Sequence, residues 1–255
     1  MPFTLSHPAA VLPLLRGATG RGPLIVSGLV AGSMAPDVPF FADSLLPGAY
    51  ALGGPTHRWW AVPTADVLLA GGLVGLWHGL VRAPLVDLLP GRWAAAAEAV
   101  TAPSGDRNHR FGWFAASAAV GAATHVGWDA FTHEGRAGVR ALPALNRSLA
   151  GVPVHTVLQY GTSVLGLACV VRHAARVVAA APPAGPPGPR PTARRAGRAV
   201  LAVATAGGVA HRLARRERGL IAEFCFGAGA GFAVGAAAYA TVVKRLTARE
   251  RLRAR

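Results

Sequence analysis

The chain has 255 residues, 52% of them hydrophobic and only 15% charged, and carries a formal net charge of +15. So much apolar surface with so little charge argues against a soluble domain and for the bilayer. Nor does the positive charge make a nucleic-acid binder, because the arginines lie between and after the apolar runs, without the aromatic interleaving that would read bases.

In chain order, the opening MPFTLSHPAAVLPLL lacks the basic start and small-residue cleavage site of a secretory signal, so it is expected to be retained. Apolar runs follow at residues 23–41, 64–81, 111–131, 153–171, 199–210 and 219–243, judged against the roughly 17–25 residues a spanning helix needs. The fifth is short and rich in Gly and Ala. Between the fourth and fifth lies AAPPAGPPGPRPTARRAGR, whose prolines favour an exposed, extended linker. The pattern predicts an all-α, multi-pass transmembrane helix bundle of about four spans plus a C-terminal helical hairpin. Its parts are a polar-studded membrane domain at 1–176, a Pro/Arg-rich linker at 177–198, and a hairpin with a basic tail at 199–255. GAGAGFAVGAAAYA in the last run reads as close helix packing through small residues. Cys169 and Cys225 lie in apolar runs and read as small buried hydrophobes.

Basic segments favour the cytoplasmic side. Placing Arg172–198 and the tail 244–255 inside, and counting backwards, puts the loop 82–110 and the chain start with Arg16 and Arg21 inside as well, and the loop 42–63 outside. This predicts a plasma-membrane or inner-membrane protein with a cytoplasmic C-terminus. Two loops resist the pattern: 134–151 with Arg136, Arg140 and Arg147, and the basic 211–218.

Ionisable groups inside spans cost on the order of 2.5–3.5 kcal/mol each at the centre, and face a cavity or a partner. Asp37 lies in GSMAPDVPFF near the outer end of the first run, His57 in the outer loop as GPTHRWW, and Asp66 at the start of the second run. The third run ends in THVGWDAFTHEG. His125, Asp129 and His133 recur every fourth residue, so on a helix each lies only about 40° round from the last, on one face. All six fall on one side of the membrane in this topology. Imidazoles and carboxylates are the usual nitrogen and oxygen donors of zinc. A divalent metal, with zinc the best match, would activate water, so the chemistry on offer is hydrolysis.

Blander readings stand beside this one. The stripe can be a hydrogen-bonded seam between helices, Asp37 after Pro36 can cap a turn, and Asp66 and His155 can be interfacial or capping residues. His78, His109, His173 and His211 receive no role. Trp59, Trp60, Trp113 and Trp128 read as interfacial anchors.

The opening segment, GSMAPDVPFF, Thr56–His57, THVGWDAFTHEG and PVHTVLQYGTSVLGL together resemble the bacterial integral membrane proteins grouped as domain-of-unknown-function family 4184, over roughly residues 1–176. A remoter similarity is to inner-membrane metal-dependent hydrolases, which share the order His, Pro-Asp, His, His-x-x-x-Asp. Here that order falls on His7, Pro36–Asp37, His57, His125 and Asp129, followed by Thr132. The succession is also similar to zinc-dependent phospholipases C, whose later His-x-x-x-Glu would correspond to His155–Gln159, with an amide in place of the carboxylate. The resemblance implies that His7 joins the site, although the charge count sets it across the membrane. A short half-helix over 8–15 that enters and returns at GATGRG would reconcile the two.

The leading expectation is a membrane protein with a metal-dependent hydrolase-like site: His125, Asp129, His57 and Asp37 as ligands, His133 and His7 as further ligands, and Asp66 as an orienting group or base. A lipid headgroup or another phosphate ester is the substrate that analogy suggests. The alternative is a non-enzymatic transporter or structural component whose buried His and Asp relay protons or hold helices together.

Overall fold

The structure, a computed structural model, describes residues 3–102, 110–181 and 191–253. His109 and residues 182–190 of the linker lie outside them. A 3-10 helix at Thr4–Leu14 leads into a tight hairpin, β1 (Leu15–Arg16) and β2 (Thr19–Gly20). Then come α1 (Val26–Met34), a 3-10 turn at Ala35–Asp37, α2 (Val38–Ala42), a 3-10 turn at Ala49–Leu52, α3 (Gly53–Thr56) and α4 (Ala65–Leu76). A single π turn carries α4 into α5 (Arg82–Val86), followed by α6 (Gly91–Thr101), the long α7 (Arg110–Thr132) and α8 (Ala137–Ala141). A second hairpin, β3 (Ser148–Leu149) and β4 (Val152–Pro153), opens α9 (Val154–Ala179); α10 (Pro191–Arg215) and α11 (Leu220–Arg253) complete the chain.

The all-helical, membrane-compatible architecture expected from hydropathy is what the structure shows. Among the described residues, three helical stretches are long and apolar enough to cross a membrane: Ala65–Val86, Val154–Ala179 and Leu220–Glu250. The run at 23–41 is broken by Pro36, which has no N–H to continue the ladder. The run at 111–131 is one continuous helix, α7, studded with Ser117, Thr124, His125 and Asp129. The short fifth run is the middle of α10, whose two ends are rich in arginine.

The chain folds into two compact units, each discontinuous in sequence: Met1–Pro39, Ala49–Val74 and Gly105–Val177 form one, and Phe40–Gly48, Gly75–Ser104 and Val178–Arg255 the other. In the first, α1 lies directly on α7. Small residues at the crossing make this possible: a Cβ on Gly32 would sit 2.1 Å from the Ala118 carbonyl oxygen, and one on Gly121 2.2 Å from that of Leu29. Buried Ala31, Ala35, Ala70 and Ala118 extend the contact towards α4, with Val67, Leu73 and Phe114 packed against them. The 3-10 helix is held to α9 by the Phe3 N–H donating to Ser163 Oγ at 3.0 Å and by the close approach of Gly166 to Ser6.

In the second unit, α10 and α11 meet through Gly208 against Gly227 and Gly231 against Ala204, the close packing that the glycine run predicts. A buried ionic group adds to it. Arg212, fully buried, reaches Asp43 Oδ2 at 2.7 Å and Glu223 Oε2 at 2.6 Å, while Arg215 donates to the Asp43 backbone carbonyl at 2.8 Å.

Valine at position 121 is expected to cost about 1–3 kcal/mol by overpacking the α1–α7 crossing, read as a lower unfolding temperature in detergent; an unchanged value would contradict the close crossing. Arg212→Met leaves Glu223 buried without its guanidinium and Asp43 with Arg215 alone, at 3.3 Å, so a larger loss, about 3–5 kcal/mol, is expected. A loss no larger than that of an exposed arginine, such as Arg249→Met, would contradict the role given to Arg212.

Candidate metal centre

Each polar residue of the first unit is delivered by a break in regular structure or by one face of a helix. Asp37 ends the 3-10 turn at which α1 stops, and its Oδ2 accepts a hydrogen bond from Thr4 Oγ1 at 2.5 Å. Thr56 Oγ1 donates to the Pro36 carbonyl at 2.7 Å, which ties α3 to that turn. His57 follows α3, and its Nδ1 lies 2.7 Å from the Gly53 carbonyl oxygen. His125 and Asp129 project from successive turns of α7, with His125 Nδ1 2.8 Å from the Ser33 carbonyl oxygen.

A carbonyl oxygen only accepts, so both Nδ1 atoms carry the proton and donate. In the neutral imidazole the lone pair is then on Nε2. These two Nε2 atoms are 3.2 Å apart. His57 Nε2 is also 3.4 Å from Asp37 Oδ1 and 3.3 Å from Asp129 Oδ2, and His125 Nε2 is 3.6 Å from each of the same oxygens. When both rings are neutral, these lone pairs lie on the side of the two rings that faces Asp37 Oδ1 and Asp129 Oδ2, and two groups close enough to share an ion result: His57, His125 and Asp129, and His7, Asp37 and His125.

His7 completes the group. It stacks on His125 with ring centroids 3.6 Å apart, and its Nε2 is 3.6 Å from Asp129 Oδ1. Both of its ring nitrogens, with Asp37 Oδ1 and Asp129 Oδ1, are buried without a hydrogen-bond partner among the described residues. The charge count set His7 across the membrane from Asp37 and His57, and the structure overturns that placement. The physical reason is the reconciling feature named above: the 3-10 helix enters beside α7 and the chain turns back at the β1–β2 hairpin, where Gly17 adopts φ +60°.

His133 lies at the edge of the group. Its Nδ1 is 3.4 Å from Asp129 Oδ1 and 3.3 Å from the Asp129 carbonyl, and its Nε2 lies 3.5 Å from the Gln159 amide nitrogen. Its side chain is 18% exposed, against 4% or less for the other five. Asp66, on the first turn of α4, is fully buried and feels the charges of His57 and His125, with neither carboxylate oxygen hydrogen-bonded among the described residues. His155 touches its neighbour Thr156 at 3.2 Å and none of the clustered side chains among the described residues. Trp128 serves the interior, donating from Nε1 to Thr162 Oγ1 at 3.0 Å and meeting the His7 ring edge-on, while Trp59 and Trp60 are exposed.

The sequence reading missed the carbonyls of Ser33 and Gly53, which no side-chain motif announces. It also missed Thr4, although TLSHP sets that hydroxyl one turn before His7.

Burial pushes the His7 imidazole down to about 3, helped by neighbouring His125 and only partly opposed by Asp129 and Asp37. Burial likewise lowers His133 to about 4 against the pull of Asp129, with Arg136 adding to the lowering. For His57 burial is outweighed by Asp129 and Asp37, which raise it above its ordinary value.

No curated protein and no solved structure matches this chain. A family model does, over residues 1–243, described as a domain of unknown function (DUF4184). The chain belongs to that family. The match runs well past residue 176 and takes in α10 and most of α11.

The low values of His7 and His133 set a pH dependence. From pH 6.5 downward the unfolded imidazoles take up protons that the folded ones refuse until about 4 and 3, so acid costs stability in that window. His57 works in the opposite sense, its contribution being complete below 6.5 and lost as pH rises through its raised value. In chelator-treated protein, His133→Gln is expected to flatten the fall in unfolding temperature between pH 6.5 and 4. An unchanged slope would contradict the assignment.

Proposed function

We propose that the protein is a membrane-embedded metalloprotein whose His57, His125, Asp37 and Asp129 hold one divalent ion, zinc being the best match, and whose chemistry is hydrolysis of a phosphate ester. The observation that carries this reading is the committed tautomer: both Nδ1–H groups are spent on backbone carbonyls, and both Nε2 lone pairs face each other at 3.2 Å and two carboxylate oxygens at 3.3–3.6 Å. Metal-bound histidines characteristically donate their second ring N–H to a carbonyl or carboxylate. The donors of a tetrahedral ion with bonds of ~2.0–2.1 Å lie roughly 3.3 Å apart. Two carboxylates also balance a divalent charge, which matters where unpaired charge is costly.

His7 is placed as a further ligand or as the group that fixes the His125 ring by stacking, and His133 as the gatekeeper that orients Asp129. A divalent ion held there would act as a Lewis acid on a phosphoryl oxygen and activate water near neutral pH. The chain's own part is to exclude bulk water from five of the six side chains and hold the carboxylates in place through Thr4 and His133. Asp66 is kept as a nearby buried carboxylate suited to orienting a ligand or accepting a proton. The apolar helices favour a lipid headgroup over a soluble ester, and the basic linker and tail favour a cytoplasmic C-terminus in the inner or plasma membrane.

A second reading rests on the same 3.2 Å contact. With a proton in place of the ion, two imidazoles and two carboxylates make a relay or a seam that locks α7 to α1. Elemental analysis decides. Protein purified in mild detergent without a histidine tag, and supplied with zinc and manganese, is expected to hold near-stoichiometric metal that His125→Ala and Asp129→Asn both lose while staying monodisperse and helical. No metal above background in folded parent protein would sink the metal reading and leave the proton relay or seam.

A further inference from the structure

Five of the six clustered side chains are closed to the surface, and only His133 is open to it. His133 is therefore the member of the group nearest the surface. The chain that leaves His133 is EGRAGVRALPALNRSLAG, residues 134–151, with three arginines and one acid. The Arg136 N–H donates back to the His133 carbonyl at 3.2 Å, which holds this segment at the opening. Arg140 spends its guanidinium on the Gly135 carbonyl. Arg136 and Arg147 have no ion-pair or hydrogen-bond partner for their side chains among the described residues.

Apolar side chains share this segment. Leu142 is 50% exposed, and Leu149 and Val152 face each other across the β3–β4 hairpin, 61% and 41% exposed. Guanidinium groups and exposed aliphatic side chains carried by one segment, which follows His133 directly in a membrane-compatible bundle, match a ligand that is anionic at one end and apolar at the other.

We propose that loop 134–151 is the capture surface for the phosphate of an anionic phospholipid headgroup, with Arg136 and Arg147 as the anion-binding side chains and Leu142, Leu149 and Val152 set against the adjoining acyl chains. The proposal rests on the reading of the buried group as a reaction centre and names the substrate class it takes. The phosphate is held at the opening by the two guanidinium groups, beside His133 and Gln159, and so is presented to the buried donors.

The test titrates detergent-solubilised protein with 1-palmitoyl-2-oleoyl phosphatidylglycerol, with the phosphatidylcholine of the same chains, and with inorganic phosphate, reading bound lipid by native mass spectrometry and metal content on the same samples. The parent is expected to bind the glycerol lipid about tenfold or more tightly than the choline lipid, the effect of one or two charge-assisted contacts. Arg136→Gln/Arg147→Gln is expected to abolish that preference without changing the metal content, and Arg216→Gln, an exposed arginine of the other unit, to leave it intact. Equal binding by parent and double variant, an equal loss in Arg216→Gln, or complete displacement of the lipid by inorganic phosphate would each overturn the proposal. Lipid preference lost in the double variant with no metal in the parent would instead remove the metal reading and keep the headgroup surface.

Discussion

Two hydrogen bonds from imidazole to backbone govern the interior of the first unit. By donating Nδ1–H to the carbonyls of Gly53 and Ser33, His57 and His125 are left with lone pairs that point at each other and at two carboxylates. Such an arrangement of acceptors is unfavourable unless a cation or protons sit among them. Much of the surrounding fold serves to keep those carbonyls where they are. The Ser33 carbonyl reaches His125 only because α1 and α7 cross at contact distance, which Gly32 and Gly121 permit. The Gly53 carbonyl is in place because α3 is anchored through Thr56 to the Pro36 carbonyl.

The break in the first apolar run has a related role. A continuous helix through residues 23–41 would carry Asp37 round with the helical repeat. Pro36 ends α1 and turns the next residues into a 3-10 segment that presents Asp37 to Thr4 and to both imidazoles. The opening segment is equally specialised. Its 3-10 helix, with Pro8 and Pro13 inside it, holds His7 flat against His125, and Ser163 and Gly166 of α9 receive the residues before and beside it.

Much of this was legible in the sequence, for identifiable reasons. The four-residue spacing of His125, Asp129 and His133 survives because it depends only on helical periodicity. The helical class and the apolar segments follow from hydropathy, a property of each segment alone. His7 was legible by resemblance and illegible by charge, because counting basic loops assumes that every apolar segment crosses, and the opening segment turns back at β1–β2. The Ser33 and Gly53 carbonyls were hidden since backbone acceptors carry no residue signature. The pairing of Arg212 with Asp43 and Glu223 was hidden for a further reason: Asp43 and Arg212 are 169 positions apart, and neither lies in a motif.

That last separation bears on how the chain is made. Asp43 sits within a compact unit whose remaining partners, Arg212 and Arg215, are translated only after the whole of α4 to α9. At ribosomal rates of ~5–20 residues per second the wait is roughly 10–30 s. Over that interval the carboxylate has no guanidinium to neutralise it, and the segment 40–48 must stay hydrated or be shielded by the insertion machinery. Closing of the α10–α11 hairpin is therefore the step that commits Asp43 to the interior, and it makes the last quarter of the chain a timing element for assembly of the second unit.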